Sequence, residues 1–496
     1  MAEQFKEQGG MATMDPSAAF RWLSSKVMSK VISPQRQIKI REKVEKRRQL
    51  SGARHVVEYF HQVEDGYSHL AAQTLKSLSA RYDINLQCHL VTGPSGNNIV
   101  EPDLLLKLSQ YDASFIAPHY GLEAPDGKQA PDADSIQLAE SILAAVLLSV
   151  SCLSASNASG SSLSGASLSA SSLSASNPST TMSEGADFTS LAAEVGSALW
   201  SGDKVALNNL AEKYGCASPG QRAAFLEGGN ARRAELKHYS GAMFYCGEEW
   251  YWGVDRLHYL ETRLAELGAD SSAQKPLLMP RFEVEVGKQK DNGSLTLEVY
   301  VSLRSPYTAV VFDRTVTLAE QTGVNLVVRP VLPMVMRGVP ATREKGMYIF
   351  TDAAREARSA KVPFGNFYDP IGEPARSCYS LYPWACEQGR GNQLVSSFLN
   401  SAFIEGINMN NSRGLKKVVQ KAGLDWCVAK TLVGQSGWQE ILENNRLAMY
   451  EAGLWGVPSF RLLNKQGESV LALWGQDRLW LVAREIQRQL AKDIKI

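Results

Sequence analysis

The pattern of hydrophobic and polar positions is written twice along the chain. Leu295 to Val301 predicts one apolar strand, and Glu58-Tyr59-Phe60 mirrors its Glu298-Val299-Tyr300 in the first half. Each strand runs into a short turn that opens a helix, Asp65-Gly66-Tyr67-Ser68 in the first and Ser305-Pro306-Tyr307-Thr308 in the second. The two copies are offset by 240 positions, and the match continues without a gap to the next strand, Ile84-Asn85-Leu86 against Val324-Asn325-Leu326. Near the end of each half, Trp252 to Leu257 and Trp474 to Leu479 share the pattern Trp-Gly-x-Asp-Arg-Leu. Each follows a short strand and opens a helix with apolar residues every three or four positions. The order is strand, helix, strand, then a long helical stretch, then strand, strand, helix. Its opening βαβ unit implies a parallel strand pair. The pattern predicts two tandem α/β domains of one fold, each with an inserted all-helical subdomain. In the second, Gln393 to Asn408 and Gly414 to Ala422 carry helical spacing, and Gly423 ends the latter.

These signals divide the chain into a polar and basic segment over 1–50, a first domain over 51–275 and a second over 276–496. Arg36, Lys39, Arg41, Lys43, Lys46, Arg47 and Arg48 crowd the N-terminal helix, with Ile38, Ile40 and Val44 between them. A weak surface-association arm is one reading; a solvated helix with a weak apolar stripe is the simpler one. Residues 151–186 are near-repeats of Ser, Ala, Leu and Gly with almost no charge. A segment with so little to bury is expected to be disordered. The flanks, Ile136 to Leu148 and Phe188 to Trp200, read as helices, so the insert falls in a helix–helix turn.

Composition narrows the classes. A net charge of +1 over 496 residues argues against bulk attraction to nucleic acid. No secretory leader pattern is visible, and the longest apolar run, Ile142 to Val150, is too short to span a bilayer. The seven cysteines form no Cys-x-x-Cys and no zinc spacing, so reduced thiols in a cytoplasmic setting and no metal are expected. All seven histidines lie within the first 258 residues. A serine hydrolase in the second domain would therefore lack its base.

Ser305 stands where a helix N-terminus offers unpaired N–H groups and a favourable dipole. A serine does not ionise there, but its hydroxyl can donate to a bound thiolate. The plainer role is an N-cap, since Ser-Pro is a favoured helix start. Gly456-Val457-Pro458-Ser459-Phe460 belongs with this turn: a proline between an apolar residue and a new strand is a candidate cis peptide. Main-chain groups ahead of it could pair with an extended, peptide-like ligand. Asp477 could likewise be an ordinary helix cap, or with Gln476 could meet a ligand's ammonium and carboxylate end.

The residues Ser-Pro-Tyr after the first strand, Gly-Val-Pro-Ser-Phe and Trp-Gly-Gln-Asp-Arg-Leu resemble those of 2-hydroxychromene-2-carboxylate isomerase and kappa-class glutathione transferase. Both lie in the DsbA-like branch of the thioredoxin superfamily. Lys345, Tyr348, Asp352, Arg355, Val362-Pro363-Phe364 and Ala422-Gly423-Leu424-Asp425 fit that family's helical subdomain. The resemblance covers 295–490 well and 55–265 weakly. It implies glutathione as cofactor and a small electrophile as substrate. By it, Ser305 holds the sulfur, Val457 and Pro458 face the cysteinyl backbone, and Gln476 with Asp477 takes the γ-glutamyl end. The sequence departs from the family at Ser302, where an acidic residue is usual, and at Glu373-Pro374-Ala375-Arg376, in place of an Asn-Ser pair. In the first domain Asp65 stands at the Ser position, and Gly241-Ala242 at the Val-Pro position, so that domain reads as structural or regulatory. Two other readings of the second domain stay open. One is a non-catalytic binding module on the same fold; the other is a thiol-disulfide oxidoreductase, which the missing Cys-x-x-Cys argues against.

Overall fold

The structure, a computed structural model, describes residues 15–98, 101–125, 130–158, 187–339 and 341–493. Its strands form two four-stranded sheets. The first contains β1 (His55–His61), β2 (Ile84–Leu90), β3 (Met243–Cys246) and β4 (Glu249–Trp252) in the order β2-β1-β3-β4. The second contains β5 (Thr296–Val301), β6 (Asn325–Pro330), β7 (Ser459–Leu463) and β8 (Ser469–Trp474) in the order β6-β5-β7-β8. In each sheet the first pair is parallel and the other two are antiparallel. The register repeats as well. Val57 lies opposite Leu86, and Leu297 opposite Leu326, both at the 240-residue offset.

The central strands β1 and β5 are covered on both faces, so they read as nearly continuous apolar runs. Val57, Tyr59, Phe60, Leu297, Val299, Tyr300 and Val301 are all fully buried. Each run carries one buried carboxylate, and both are matched by cations. Glu58 accepts from Arg232 Nε at 2.8 Å and pairs with His89 at 3.0 Å. Burial alone would raise its pKa, but those partners hold it down to about 2. Glu298, its counterpart, accepts from Arg329 Nε at 2.8 Å, and Arg329 lies 240 positions after His89. Tyr67 donates to Asp112 at 2.8 Å, and Tyr307 donates to Asp352 at 2.8 Å, at the same offset again.

Helices fill the gap between the second and third strand of each sheet. They are Pro102–Tyr120, Ala133–Ala158, Phe188–Trp200, Lys204–Tyr214 and Pro219–Glu235 in the first half. The second half has Arg343–Ser359, Glu373–Glu387, Gly391–Phe403, Ser412–Lys421, Trp426–Leu432 and Trp438–Glu451. The expected helix to Asn408 stops at Phe403, and the chain turns at Gly406, where φ is +64°. Helix Ala133–Ala158 runs eight residues into the Ser-rich stretch expected to be irregular. Its Ala, Leu and Ser residues do not break a helix before Gly160. Residues 159–186, the rest of that stretch, lie outside the described residues.

The contiguous partition read from sequence gives way to an interleaved one. One compact unit comprises Val44–Pro94 and Ser109–Arg281. The other gathers the described parts of Met1–Lys43, Ser95–Leu108 and Phe282–Ile496. Two N-terminal helices stand where one basic helix was expected, Ala18–Val31 and Pro34–Ser51. The first has a weak apolar pattern because its buried residues are polar. Arg21 donates to the carbonyls of Asp369 at 2.8 Å and Ile371 at 2.6 Å, and Ser25 accepts from Asp369 N–H at 2.9 Å. Among the described residues, no helix is long and apolar enough to cross a membrane.

Candidate functional site

The turn that carries Ser305 after β5 is fixed from three sides. Tyr379, fully buried, accepts from Leu303 N–H at 3.1 Å and donates to Val331 O at 3.1 Å, tying the turn to the end of β6. Burial pushes the Tyr379 phenol well above its ordinary pKa, which keeps its proton in place for that bond. Arg304 makes a two-pronged pair with Asp369 at 2.9 and 3.0 Å. Burial would raise Asp369, but the Arg304 charge and hydrogen bonds hold it below the usual carboxylate range. Tyr307, two residues beyond Ser305, is tied through Asp352 to helix Arg343–Ser359. None of Tyr379, Asp369 and Arg304 stood out in the sequence. An arginine beside an N-cap was the only local signal.

Ser305 caps helix Pro306–Thr322, its Oγ accepting from Thr308 N–H at 3.1 Å. It is half-buried, and its hydroxyl donates to the Val457 carbonyl at 3.4 Å. That is long for an O–H···O bond. The proton is therefore loosely held. The Val457–Pro458 peptide is cis, as the sequence suggested, and the Pro458 carbonyl accepts from Gly475 N–H at 3.0 Å. Thr308, at the second cysteine position of a Cys-x-x-Cys turn, is fully buried, and its Oγ1 accepts from Ser302 N–H at 3.5 Å. So Ser305 alone of the pair offers its side chain to the outside.

The turn Gln476–Arg478 packs against the helix that Ser305 caps. Its two candidate residues diverge. Gln476 is 2% exposed and donates from Nε2 to the buried Glu356 at 2.6 Å, whereas a ligand-facing side chain was expected. Asp477 keeps a partly exposed side chain, with Arg478 Nη1 at 3.8 Å. Beyond Val457, Trp455 and Trp474 lie with ring centroids 5.2 Å apart. Lys345 sits over the Trp455 ring at 5.7 Å, and burial lowers its pKa to about 8.

At the matching turn of the other unit, Asp65 caps its helix and accepts from both Ser68 N–H (2.9 Å) and Ser68 Oγ (3.0 Å) through Oδ2. Burial raises its pKa to about 6 against those bonds. Ala242 takes φ +53° where Pro458 stands in the other copy, and a Cβ on Gly241 would meet Gln62 Cβ at 2.5 Å. A carboxylate and a crowded glycine thus stand where the other unit has Ser305 and Val457.

Residues 296–487 match the DSBA-like thioredoxin domain family, and the C-terminal half is a domain of that kind. No curated protein matches the chain. Among solved structures, a 2-hydroxychromene-2-carboxylate isomerase is 20% identical, with 40% of this chain and 98% of that one covered and a TM-score of 0.34. The cytosolic disulfide reductase DsbM from Pseudomonas aeruginosa is 15% identical over 40% and 98%, at a TM-score of 0.33. Its structure with GSH is 13% identical over 40% and 100%, at a TM-score of 0.31.

Proposed function

We propose that the C-terminal domain binds glutathione and uses it to isomerise or conjugate a small aromatic or unsaturated electrophile. The observation that carries this is the Ser305 hydroxyl. It sits at a helix N-terminus, and its proton goes to the Val457 carbonyl at only 3.4 Å. Glutathione supplies the sulfur nucleophile; the chain supplies its placement. Ser305 turns its proton from Val457 to the sulfur, while Thr308 N–H keeps the Oγ in position. One such charge-assisted bond is worth about 1.5–3 kcal/mol and lowers a thiol pKa by roughly one to two units. A thiol of ordinary pKa near 8.5 is then roughly a quarter to three quarters ionised at pH 7. The main chain at Val457 lines the cysteinyl backbone, and Asp477 accepts from the γ-glutamyl ammonium. Gln476 acts from behind, holding its turn through Glu356. Disulfide exchange is not part of this reading, because neither Ser305 nor Thr308 carries sulfur. A reducing compartment is its natural setting.

The test is a titration. Bound glutathione, followed by thiolate absorbance against pH, should ionise about one to two units higher in Ser305→Ala than in wild type. Calorimetry should show affinity changing less, since Val457 and Asp477 remain. If wild type shows no saturable binding, or the two proteins titrate alike, Ser305 is a helix cap and the domain is a non-catalytic binding module.

A further inference from the structure

The described residues of 95–108 lie far outside the family domain in sequence, yet they fold with the C-terminal unit. Two polar anchors and an apolar patch hold them. Asn98 Oδ1 accepts from Thr342 Oγ1 at 2.7 Å, at the N-cap of the helix that carries Lys345. Glu101 Oε1 accepts from Tyr450 Oη at 3.1 Å. Beyond these, Leu104, Leu105 and Leu108 join the cluster built on Trp455, Leu454 and Met449, together with Met334, Val457 and Trp474. Leu108 is buried, Leu104 and Leu105 are only partly so, and Leu106 is 43% exposed. Val457 links this patch to the thiol position, because its carbonyl lies 3.4 Å from Ser305 Oγ.

We propose that Leu104 and Leu105 form an added wall of the second-substrate site, against which the apolar body of the electrophile rests. This deepens the glutathione reading and rests on it. A group joined to sulfur at Ser305 meets Val457 first, and Val457, Trp474, Leu104 and Leu105 are all partly buried residues packed against one apolar cluster. The two leucines are held by anchors at Asn98 and Glu101 that do not belong to the thiol site. They can therefore set substrate preference without touching glutathione itself. The wall favours substrates whose body is apolar over charged or strongly hydrated ones.

S-methylglutathione and S-hexylglutathione separate the two levels of the argument, read by calorimetry on the full chain. Wild type should bind the hexyl form at least about tenfold more tightly, from the extra apolar surface covered. In the double variant Leu104→Ala/Leu105→Ala that ratio should fall about fivefold or more, with S-methylglutathione affinity within twofold of wild type. Leu105→Phe, which crowds the wall rather than opening it, should also cut hexyl affinity selectively. Leu106→Ala, on the exposed side, should leave the ratio unchanged. A hexyl-to-methyl ratio equal to wild type in both wall variants overturns the proposal while glutathione binding stands. No S-methylglutathione binding by wild type removes the glutathione reading, and the wall with it.

Discussion

Asp65→Asn isolates the cost of placing a carboxylate where the sister domain has Ser305. Asp65 is 9% exposed, and burial raises its pKa from the ordinary 3.8 to about 6 despite two bonds from Ser68. The unfolded chain releases this proton near pH 4, while the folded one keeps it until about pH 6. In that window the unfolded state binds fewer protons, so stability falls as pH rises. A shift of about two units at 1.36 kcal/mol each gives roughly 3 kcal/mol, fully expressed above pH 6. Both Ser68 bonds end on one oxygen, so an asparagine amide oxygen can accept them and only the titration is lost. Hydrogen exchange of β1 amides in the full chain, corrected for intrinsic rates, reads the difference. Wild-type protection relative to the variant should fall about a hundredfold between pH 4 and pH 7. A ratio flat across that range would mean Asp65 titrates normally and the burial argument is wrong.

Two further outcomes test other parts of the structure. Lys345, with a folded pKa near 8 against an ordinary 10.5, carries its charge at a cost below pH 8. Lys345→Met should therefore melt higher at pH 7, by the equivalent of about 1–3 kcal/mol, with the advantage shrinking as pH rises past 8 toward 10.5; a lower melting point at pH 7 would contradict this. Gly229 lets helix Pro219–Glu235 touch β2: an added Cβ would lie 1.9 Å from the Leu90 carbonyl oxygen. Gly229→Ala should cost at least about 2–3 kcal/mol in thermal or urea unfolding, whereas Gly228→Ala, which meets nothing within 4 Å, should cost little.

What could be read from the chain was what repeats or lies close in sequence. The 240-residue offset carried both sheets, because burial on two faces constrains β1 and β5 alike. It also carried pairs that were not anticipated, Tyr67 with Asp112 and Tyr307 with Asp352. Ser305 was legible because capping is a local interaction, and the cis peptide because Val-Pro stood before a strand. The Nε2 bond of Gln476 was not legible: a polar residue beside a helix start says nothing about a buried Glu356 120 positions away. Helix Ala18–Val31 was missed for a related reason, since it buries Arg21 and Ser25 against carbonyls and amides instead of presenting an apolar stripe. Leu104, Leu105 and Leu108 looked like the face of an ordinary helix. Nothing local shows which unit such a face will join.

The contact between Arg21 and the Ile371 carbonyl spans 350 residues of the 496. A ribosome adding about 5–20 residues per second takes roughly 20–70 s to cover that distance. For that interval helix Ala18–Val31 has left the exit tunnel without its docking site. Its exposed Phe20, Trp22, Leu23 and Val27 are then joined by surfaces that will later be covered. The described residues of 44–94 and 109–281 can meanwhile assemble around β1. The protein thus has an order of assembly imposed by its own connectivity, in which the N-terminal helix and residues 95–108 must wait for the last third of the polypeptide. Nascent-chain pulldown at successive lengths should find chaperones engaged at the N-terminus until about residue 371 has emerged.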